Sequence, residues 1–430
     1  MLSKADQAVV ARDPQLPGLA LLLDEERTLA AARREWPADE LLSLRCSYLR
    51  YKPGISCLAG YAAETESGPR WFHAKVRATG NADGDAGPSP VEGELTLRRF
   101  PSDRELRGLA GFLEPDRRHK LLRKMLPAEP QFWSASVETL RYKPERRWVG
   151  RITNAAGEQA LVKLYEQRDF RSALQGVSAF VGREHLMIAR RRGRSKRHRI
   201  IVTDWINGAP LDGVIRDGSL SAGDAGQVGK ALAELHRQTG RRLPVVGREQ
   251  EAVQVLAAVS NLHHLRPDLA DAGVALALRV CSELVRPGVG LVPIHGDFSA
   301  DQVIWGPDGI AIVDLDRACW GDPLADLGNF LAGLEYDVVR GHLSRDRAAD
   351  VGEALTAGYQ RRSRRRLRPG LDLQVAAGLL RLVPQPFRTR DPEWPAHLEA
   401  LLRRAEHFLA MHASLSVVLP AGSVRKVSPR

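Results

Sequence analysis

Cysteine is scarce in this chain, and the few that occur are scattered along it. The 430 residues contain four, with no CxxC pair and no spacing typical of a metal site: Cys46, Cys57, Cys281 and Cys319. This distribution excludes a disulfide framework and a cysteine-rich metal centre, and it suits a reducing compartment. We therefore expect a cytoplasmic protein.

An apolar segment long enough to cross a membrane is also missing. The start of the chain has no basic segment followed by an apolar one, which a secretory signal would require. The apolar run Leu19–Leu23 is far too short to span a bilayer, and Asp24-Glu25-Glu26 follows it at once. We expect a soluble protein with no membrane partner.

What the chain has in excess is positive charge. Its 63 Lys and Arg outnumber its 52 Asp and Glu, which gives a net charge of +11 and a pI near 9.8. This balance favours polyanionic partners such as nucleotides, phosphorylated substrates or nucleic acid, although a general preference for Arg explains it as well. The chain is 43% hydrophobic, so it can bury a large core, and its length suggests two or three domains.

Two basic runs, at residues 190–199 and 361–368, bear on the nucleic-acid interpretation. Neither is interleaved with aromatic residues, as a base-stacking surface would be, and both flank predicted helices. We therefore favour solvated charge at loops and helix ends over a phosphate-bearing ligand or an acidic partner. Nucleic acid is the least favoured partner, and the sequence does not predict an oligomeric state.

The most informative stretch runs from Ile294 to Ala325, IHGDFSADQVIWGPDGIAIVDLDRACWGDPLA. It predicts a loop that carries Asp297, followed by two short strands at 303–305 and 310–313 that end on Asp314. The strands are joined by a Pro-Asp-Gly turn, so they form a hairpin with polar groups at its open end.

The register of this hairpin predicts a metal site. If the turn is centred on Asp308, Gln302 lies opposite Asp314, with Asp297 just upstream. Hard oxygen ligands on neighbouring segments are what Mg²⁺ requires when it bridges nucleotide phosphates. An Asp in the adjoining loop can accept the proton of an attacking hydroxyl.

These residues resemble the aminoglycoside phosphotransferase and choline kinase family, which has the protein-kinase-like fold. The resemblance rests on HGD, an amide five residues after the Asp, an apolar strand ending in Asp, and the following GDPLADL. It implies an α+β bilobal fold, with a small antiparallel β lobe and a large, mainly helical lobe. It also implies that Asp297 is the catalytic base and Asp314 the principal metal ligand. The family usually has Asn where this chain has Gln302, whereas bacterial maltokinases also carry Gln there.

Three neighbouring residues have less certain roles. Asp316 points to the same side as Asp314 if the strand continues, so it is an auxiliary metal ligand, a substrate contact or a solvated turn carboxylate. We assign Asp326 to a structural role, because an Asp there typically holds the catalytic loop in this fold and can cap the following helix. His295 is assigned to loop architecture near Asp314.

The resemblance also identifies residues for the nucleotide. Lys163 lies on a predicted strand and would hold the α- and β-phosphates, with Glu184 on a predicted helix as its partner. The alternative for each is an exposed charge. No GxGxxG precedes Lys163, and Arg146 or Arg147 is the candidate to meet phosphate instead.

A further segment looks like the hinge between the two lobes. Asp204, Trp205 and Ile206 end a β-branched run, and in the family the backbone of such a segment binds adenine. An ordinary turn from strand to helix would give the same local pattern.

The small-lobe pattern occurs twice. The letters LRYKP stand at Leu49–Pro53 and again at Leu140–Pro144, each followed by a strand, a turn and a strand that ends in Lys, at Lys75 and Lys163. We read residues 1–130 as an accessory domain built like a small lobe, 131–208 as the kinase small lobe and hinge, and 209–430 as the large lobe. Residues 80–90 read as a flexible loop, and the C-terminal tail reads as disordered at its end.

Together these features predict an ATP- and Mg²⁺-dependent transfer of the γ-phosphoryl group to a hydroxyl of a sugar, an aminoglycoside or a related metabolite. The basic C-terminal half makes a polycationic acceptor less attractive than a neutral sugar or an anionic metabolite. A protein substrate is disfavoured because nothing resembles an activation loop between Asp314 and Asp326. The alternative is a catalytically inactive nucleotide-binding scaffold.

Overall fold

The first part of the chain forms helices and a four-stranded antiparallel sheet, ordered β1-β2-β3-β4. The computed structural model describes residues 2–78, 95–240, 242–286, 288, 290–368 and 370–418. The predicted loop at 80–90 and the end of the tail lie outside the described residues. The elements up to residue 130 are α1 Lys4–Arg12, α2 Leu19–Leu23, α3 Glu25–Glu35, β1 Ser43–Lys52, β2 Ser56–Glu64, β3 Arg70–Arg77, β4 Thr96–Arg99, α4 Leu109–Leu113 and α5 Pro115–Met125.

A second antiparallel sheet follows, with five strands in the order β5-β6-β7-β9-β8. Its elements are β5 Ser136–Lys143, β6 Arg147–Thr153, β7 Gln159–Tyr165, α6 Gln167–Gly176, β8 Arg191–Ser195 and β9 Ile200–Asp204. Every second residue of β6, and of β7 as far as Leu164, is buried, as expected for strands with one face on a core.

The remainder is mainly helical and contains two small sheets, β10-β12-β13 and β11-β14. Its elements are β10 Ala209–Pro210, α7 Leu211–Arg216, α8 Ala222–His236, α9 Arg248–Val259, α10 Leu262–Leu265, α11 Pro267–Leu284, β11 Val292–Ile294, β12 Val303–Gly306, β13 Gly309–Ile312, β14 Cys319–Gly321, α12 Pro323–Val339, α13 Arg345–Ser363, α14 Gly370–Leu382, α15 Gln385–Arg388 and α16 Trp394–Val418. Local chemistry sets the helix starts. For example, Ser221 and Asp224 form a reciprocal capping box at the start of α8.

The two LRYKP hairpins have the same geometry. Lys52 pairs with Ser56 in the first, and Lys143 pairs with Arg147 in the second, so both loops contain three residues. The middle loop residue is left-handed in each hairpin, with φ of +67° at Gly54 and +54° at Glu145. Glycine adopts this conformation freely, whereas Glu145 needs its surroundings to hold it there.

The two lysines that follow the hairpins also occupy equivalent places. Lys75 pairs with Leu58 across β2 and β3, and Lys163 pairs with Val149 across β6 and β7. Leu58 and Val149 stand at the same distance beyond their hairpin turns. The first sheet therefore repeats the strand pattern of the second down to the residue opposite its lysine.

The first sheet packs against the tip of the second hairpin. A Cβ atom at Gly60 would lie 2.8 Å from Cγ of Pro144, so only glycine permits this approach. Glu145 lies beyond Pro144 and accepts hydrogen bonds of 2.7 Å from Lys75 and 2.8 Å from Arg50. The two copies are thus joined by an ion-pair cluster as well as by backbone packing.

Helices α4 and α5 pack with the second sheet, although they precede residue 131. Their buried residues, among them Phe112 and Leu122, share a hydrophobic cluster with Trp148 and Val162 of that sheet. A larger cluster joins α1–α3 and the first sheet to the helices of the C-terminal half. None of the described helices is long and apolar enough to cross a membrane.

Candidate active site

The hairpin β12–β13 forms as predicted, but its register differs by one residue. Val303 pairs with Ile312 and Gly306 with Gly309, so the loop contains only two residues. Gly309 has a φ of +119°, which a tight turn can use and other residues avoid. The prediction that Gln302 lies opposite Asp314 was therefore wrong.

Gln302 instead faces Val313, whose amide donates to the Gln302 carbonyl oxygen at 2.9 Å. Its side-chain amide donates to Asp301 at 3.1 Å. Asp314 is the next residue beyond this pair, so the hairpin still brings the two segments together. The alternation of apolar residues does not distinguish a two-residue turn from a three-residue turn, and this explains the error.

Asp314 terminates the hairpin in a strained conformation. It has φ 61° and ψ 44°, the left-handed region that residues other than glycine seldom occupy. Its Oδ1 accepts a hydrogen bond from Lys163 at 2.6 Å, and Arg147 donates to both carboxylate oxygens at 2.8 and 3.2 Å. This backbone conformation directs the carboxylate toward Lys163 and Arg147 of the second sheet.

Asp316 joins the same cluster. Arg147 donates to it at 2.6 Å, Tyr165 donates at 3.0 Å, and Nζ of Lys163 lies 3.5 Å away. Asp314, Asp316 and Lys163 therefore lie together, whereas the sequence predicted that Gln302 and Asp297 would lie beside Asp314. Sequence patterns did not single out Tyr165, although it lies two residues beyond Lys163 and so on the same face of β7.

The two acids respond differently to this environment. Burial by itself would raise the pKa of Asp314, but the positive charges of Lys163 and Arg147 hold it well below its usual value. Burial raises the pKa of Asp316, and the neighbouring Asp314 adds to this rise against the opposing effect of Lys163. Two acids and two cations thus form one buried electrostatic unit.

Glu184 does not partner Lys163, contrary to the sequence prediction. The segment around it forms no helix but a turn held by pairing of Arg183 with Leu186. The Glu184 side chain is 78% exposed, and its Oε2 lies 3.9 Å from Nε2 of His185. A short amphipathic pattern is compatible with a helix, but here the backbone bonds to β13 through Met187 instead.

The sequence prediction placed the partner helix of Lys163 at Glu184, whereas helix α6 directly follows β7. Its Asp169 lies 3.2 Å from Arg146 on the second hairpin and does not contact Lys163. Ser172 of the same helix donates to the backbone carbonyl of Asp316. Lys163 is therefore held by Asp314 and Asp316 at the end of the β12–β13 hairpin, not by an acid of this helix.

A cavity of about 360 Å³ adjoins this cluster. Lys163, Asp314 and Asp316 line one end of it, and the predicted hinge residues Asp204, Trp205 and Ile206 line another part. Between the described residues, no backbone hydrogen bond uses Trp205 or Ile206. Their polar backbone groups are thus available to a ligand in a cavity with mainly apolar walls.

Asp297 lies in the loop between β11 and β12. Its side chain is 61% exposed, and its Oδ2 lies 3.7 Å from Arg317. It borders a second cavity, of about 740 Å³, that carries both signs of charge. The charged residues that line this cavity are Asp297, Glu251, Asp322, Arg317, Arg381 and Arg388.

The loop that carries Asp297 is fixed from below by Asp326. This fully buried carboxylate accepts hydrogen bonds from the backbone amides of His295 at 2.7 Å and Gly296 at 2.9 Å. His236 lies 2.9 Å from the same carboxylate. These bonds agree with the predicted role of Asp326 in holding the loop, but the cap of the following helix is Asp322 and not Asp326.

His295 itself links the loop that carries Asp297 to the end of the β12–β13 hairpin. Its Nε2 lies 2.8 Å from the carbonyl oxygen of Val313, and its Nδ1 accepts from the amide of Asp297 at 3.3 Å. This agrees with the architectural role expected for His295 near Asp314. The loop, the hairpin end and α12 are therefore held in one hydrogen-bonded framework.

The fold and the site define a class of protein. One cavity is lined by a strand lysine, by the residues predicted as the hinge and by a left-handed aspartate, and an exposed aspartate borders a second cavity. Residues 131–370, more than half of the chain, match the model of the phosphotransferase enzyme family. The chain belongs to this family, and it is a kinase that uses a hydroxyl group as acceptor.

Comparison with solved structures supports the fold. A choline/ethanolamine kinase family protein from Mesorhizobium loti has 16% identity and a TM-score of 0.51, over 71% of this chain and 99% of that one. This likeness and the family match confirm the predicted α+β bilobal fold.

Two further structures are similar at lower scores. A choline kinase from Cryptosporidium parvum has 9% identity and a TM-score of 0.49, over 71% of this chain and 97% of that one. A thermostable mutant of an aminoglycoside phosphotransferase, in complex with ADP and hygromycin B, has 15% identity and a TM-score of 0.47, over 69% and 98%. No curated protein sequence matches this chain.

Proposed function

We propose that this phosphotransferase moves the γ-phosphoryl group of ATP to a hydroxyl of a small molecule, with Mg²⁺. The observation that carries the proposal is the placement of Asp314. Its left-handed backbone directs the carboxylate to Lys163, at the end of the cavity that Trp205 and Ile206 line. This is the arrangement that positions nucleotide phosphates beside a metal-binding carboxylate.

The residues at this end of the cavity fit a divalent cation. Asp314 and Asp316 offer carboxylate oxygens, which are the hard donors that Mg²⁺ prefers. Lys163 and Arg147 place positive nitrogens at hydrogen-bond distance from these oxygens, so the acids already hold positive charge here. We assign Asp314 and Asp316 as metal ligands, with the side-chain oxygen of Gln302 as a further candidate. The ion, when bound, would neutralise charge on the phosphate oxygens.

Lys163 and Arg147 would then turn to the nucleotide phosphates. Lys163 is the equivalent of the strand lysine that holds the α- and β-phosphates in kinases. Arg147 starts β6, directly after the hairpin loop, and its planar guanidinium suits a phosphate group. The backbone of residues 204–206 would bind the adenine, and the side chains there would shape the slot.

Asp297 would orient the acceptor hydroxyl and take its proton. Its exposed carboxylate borders the larger cavity, and His295 and Asp326 fix the loop beneath it. A positioned carboxylate of this kind raises the nucleophilicity of a hydroxyl as its proton leaves.

The charge of the larger cavity supports a neutral or anionic acceptor. Of its acids, Glu251 is paired with Arg381 at 3.3 Å, and Asp322 is paired with Arg248 at 3.3 Å. Asp297 therefore faces a wall whose other acids are already neutralised. A sugar or an anionic metabolite fits such a surface better than a polycation does.

The domain division and the location belong to the same proposal. We propose residues 1–130 as an accessory unit, 131–208 as the small lobe and hinge, and 209–430 as the large lobe. The contacts of α4 and α5 with the second sheet indicate that the physical boundary begins earlier than residue 131. All four cysteines are free thiols, which suits the cytoplasm.

The test is ATP consumption with a panel of sugars and aminoglycosides, comparing the parent with Asp297→Asn. Asp308→Asn, at the exposed hairpin turn, is the matched control, since it removes one carboxylate without touching either cavity. We expect Asp297→Asn to lose transfer by about 100-fold or more while it still binds Mg-ATP. An inactive scaffold would instead bind nucleotide and show no transfer that depends on Asp297.

A further inference from the structure

A third cavity lies where three parts of the chain meet. It has a volume of about 670 Å³ and is formed by strand β1 with its turn, by the β5–β6 hairpin, and by the α9–α10 junction with α15. Its lining residues differ from those of the cavity proposed for the nucleotide, which Lys163, Asp314 and residues 204–206 line and which is called the nucleotide cavity below. It shares Gln385 and Arg388 with the cavity of Asp297.

The wall of this cavity is basic. Six Lys and Arg side chains line it, His264 adds a titratable imidazole, and no Asp or Glu is among the lining residues. The six are Arg50, Lys52, Arg141, Lys143, Arg146 and Arg388. The LRYKP repeat supplies four of them, because each copy contributes its Arg and its Lys. The duplication thus brings two copies of one basic motif to a single cavity.

Two of these six cations form ion pairs with acids that do not line the cavity, and four do not. Arg50 pairs with Glu145 at 2.8 Å, and Arg146 pairs with Asp169 at 3.2 Å. Among the described residues, the other four make no ion pair and no side-chain hydrogen bond: Lys52, Arg141, Lys143 and Arg388. Lys52, Arg141 and Arg388 are exposed to solvent and Lys143 is half-buried, so these four positive charges are open to an anion that enters the cavity.

The pKa of Lys143 agrees with this collection of positive charge. Burial, with the positive charges of Arg141, Arg147 and Arg146, lowers the pKa of Lys143 to about 8. Burial also lowers the pKa of Arg388; Tyr48 opposes this effect and Arg146 adds to it. The cations of this cavity therefore lower one another's pKa values.

Neutral side chains complete the wall. The amide side chains of Asn261 and Gln385 line it as neutral donors, whereas the hydroxyls of Ser47, Ser260 and Thr389 donate to backbone carbonyl oxygens at 3.2, 2.9 and 3.0 Å. Arginine forks and lysine ammonium groups are the side chains that recognise phosphate oxygens. The volume suits one small molecule and not a polymer.

We propose that this cavity binds the phosphate group of a small phosphorylated molecule. The site is distinct from the nucleotide cavity and adjoins the cavity of Asp297 through Gln385 and Arg388. Two sources share this chemistry: a phosphate carried by the acceptor itself, and a separate phosphorylated effector.

Calorimetry on the full chain tests the site with inorganic pyrophosphate as the probe. The titration is made alone and again with excess Mg²⁺ and a non-hydrolysable ATP analogue, so that the nucleotide cavity is filled. The variants Lys52→Gln and Arg141→Gln remove one unpaired cation from each copy of the repeat. Arg45→Gln is the matched control, because Arg45 is exposed on the same strand as Lys52 but lies outside the cavity.

We expect pyrophosphate to bind in both titrations. Each of the two variants should weaken binding by about tenfold or more, since each removes a charge-assisted contact, and the control should leave it unchanged. Absence of binding in the presence of the analogue, or equal affinity in the parent and in both variants, would overturn the proposal. Because this measurement needs no turnover, it stands or fails separately from the proposed transfer reaction.

A second experiment separates the two sources. Glucose and glucose 6-phosphate are compared as acceptors in the parent and in Arg141→Gln. If the phosphate belongs to the acceptor, the variant raises KM for the phosphorylated sugar about tenfold and leaves kcat and the unphosphorylated sugar unaffected. If it belongs to an effector, pyrophosphate changes the turnover of the unphosphorylated sugar in the parent but not in the variant. If neither pyrophosphate nor the phosphate on the sugar changes these kinetic parameters, a site of either kind is contradicted.

Discussion

Asp314 illustrates how much a single residue decides in this molecule. Its left-handed backbone, the partners Lys163 and Arg147, and its position at the end of the hairpin all concern one carboxylate. A conformation of this kind costs roughly 1–3 kcal/mol and persists only where the surroundings enforce it. The two cations supply that enforcement, and they would compete with the proposed metal ion for the same carboxylate.

This competition gives a prediction for Asp314→Asn. If Asp314 binds Mg²⁺ as proposed, the ion must displace Lys163 and Arg147 from it in the parent, and both would then be free to bind phosphate. We expect the variant to lose kcat/KM by about 100-fold or more, because charge stabilisation of the transferred group is lost. Its nucleotide affinity without Mg²⁺ should stay equal or rise, since both cations are free from the start.

Calorimetry of nucleotide binding with and without Mg²⁺ checks this, with Asp308→Asn as the control for loss of a carboxylate in the same hairpin. The distinguishing quantity is the gain in nucleotide affinity that Mg²⁺ produces. If Asp314→Asn keeps the gain of the parent, Asp314 is not the principal metal ligand.

A second residue-scale prediction concerns Asp326 and pH. Burial opposes ionisation, but the hydrogen bond and charge of His236, together with His295, lower the pKa of Asp326 below its usual value. A carboxyl with a depressed native pKa stabilises the fold above its unfolded pKa of about 3.9, and this contribution is lost as pH falls through the native value. We expect Asp326→Asn to lower the free energy of unfolding by about 3 kcal/mol at pH 7.

Urea unfolding at a series of pH values provides the measurement. The difference between the parent and Asp326→Asn should stay constant from pH 7 to pH 5 and shrink only below about pH 4, where the parent carboxyl is protonated as well. Asp308→Asn, at an exposed position, should show no such difference. A gap that closes already near pH 6 would indicate that the titrating group is a histidine.

At the scale of elements, the two hairpins show what the sequence can and cannot predict. The five-letter repeat predicted the duplicated strands because strand, turn and strand follow directly from the residue pattern. What no pattern indicated was the contact between the copies, where Glu145 of the second hairpin meets Lys75 and Arg50 of the first sheet. Contacts between distant segments depend on packing, which local periodicity does not encode.

The two errors at the site have the same origin. The register of β12–β13 was wrong by one residue because Pro-Asp-Gly fits two turn lengths. The helix expected at Glu184 does not form because its segment bonds to β13 instead. In both cases the local pattern was ambiguous and the tertiary partner decided between the alternatives. The HGD loop and Asp314 were predictable because their chemistry is contained in a short continuous stretch.

The Glu145 contact yields a prediction for the second hairpin. Burial raises the pKa of Glu145, but Lys75 and Arg50 outweigh that effect and lower it, so the carboxylate is ionised and doubly paired. Glu145→Gln leaves Lys75 without its partner in a half-buried place. We expect it to lower the free energy of unfolding by about 2–4 kcal/mol and to raise KM for ATP, because Arg147 lies two residues further along the same hairpin.

Double-mutant analysis with Lys75→Met measures the coupling directly. A coupling energy of about 1 kcal/mol or more is expected for groups in one buried network. Glu138→Gln is the matched control, since its ion pair with Arg151 is exposed on the same hairpin, and it should cost less than about 1 kcal/mol. Unchanged KM for ATP in Glu145→Gln would show that the first sheet does not position the phosphate-binding hairpin.

At the scale of the whole molecule, the N-terminal segment is tied to the far end of the chain. Asp6 of α1 accepts hydrogen bonds of 2.9 and 3.0 Å from Arg390 and one of 3.2 Å from Trp394 at the start of α16. The large hydrophobic cluster joins the same helices to the C-terminal half. The accessory unit therefore shares its core with the large lobe and does not sit beside it as a separate body.

This shared core predicts one cooperative unfolding transition for the whole chain. Asp6→Asn breaks the buried pair with Arg390 and should lower the free energy of unfolding by about 3 kcal/mol. Burial by itself raises the pKa of Asp6, but Arg390 outweighs it and lowers the value, so the effect should be full at pH 7 and fade only in acid below about pH 4. Glu406→Gln, which breaks an exposed pair with Arg279, should cost less than about 1 kcal/mol.

Calorimetry with and without Mg-ATP analogue separates this view from that of independent domains. A ligand at 100 times its dissociation constant adds about 2.7 kcal/mol to whatever unit binds it. If the chain is one cooperative unit, the nucleotide raises the temperature of a single unfolding transition. It then also restores part of the stability that Asp6→Asn removes, although Asp6 is far from the nucleotide cavity in sequence. The opposite result is two unfolding transitions, with the nucleotide raising the temperature of one and Asp6→Asn lowering the temperature of only the other. This would mean that residues 1–130 fold and unfold separately from the kinase lobes.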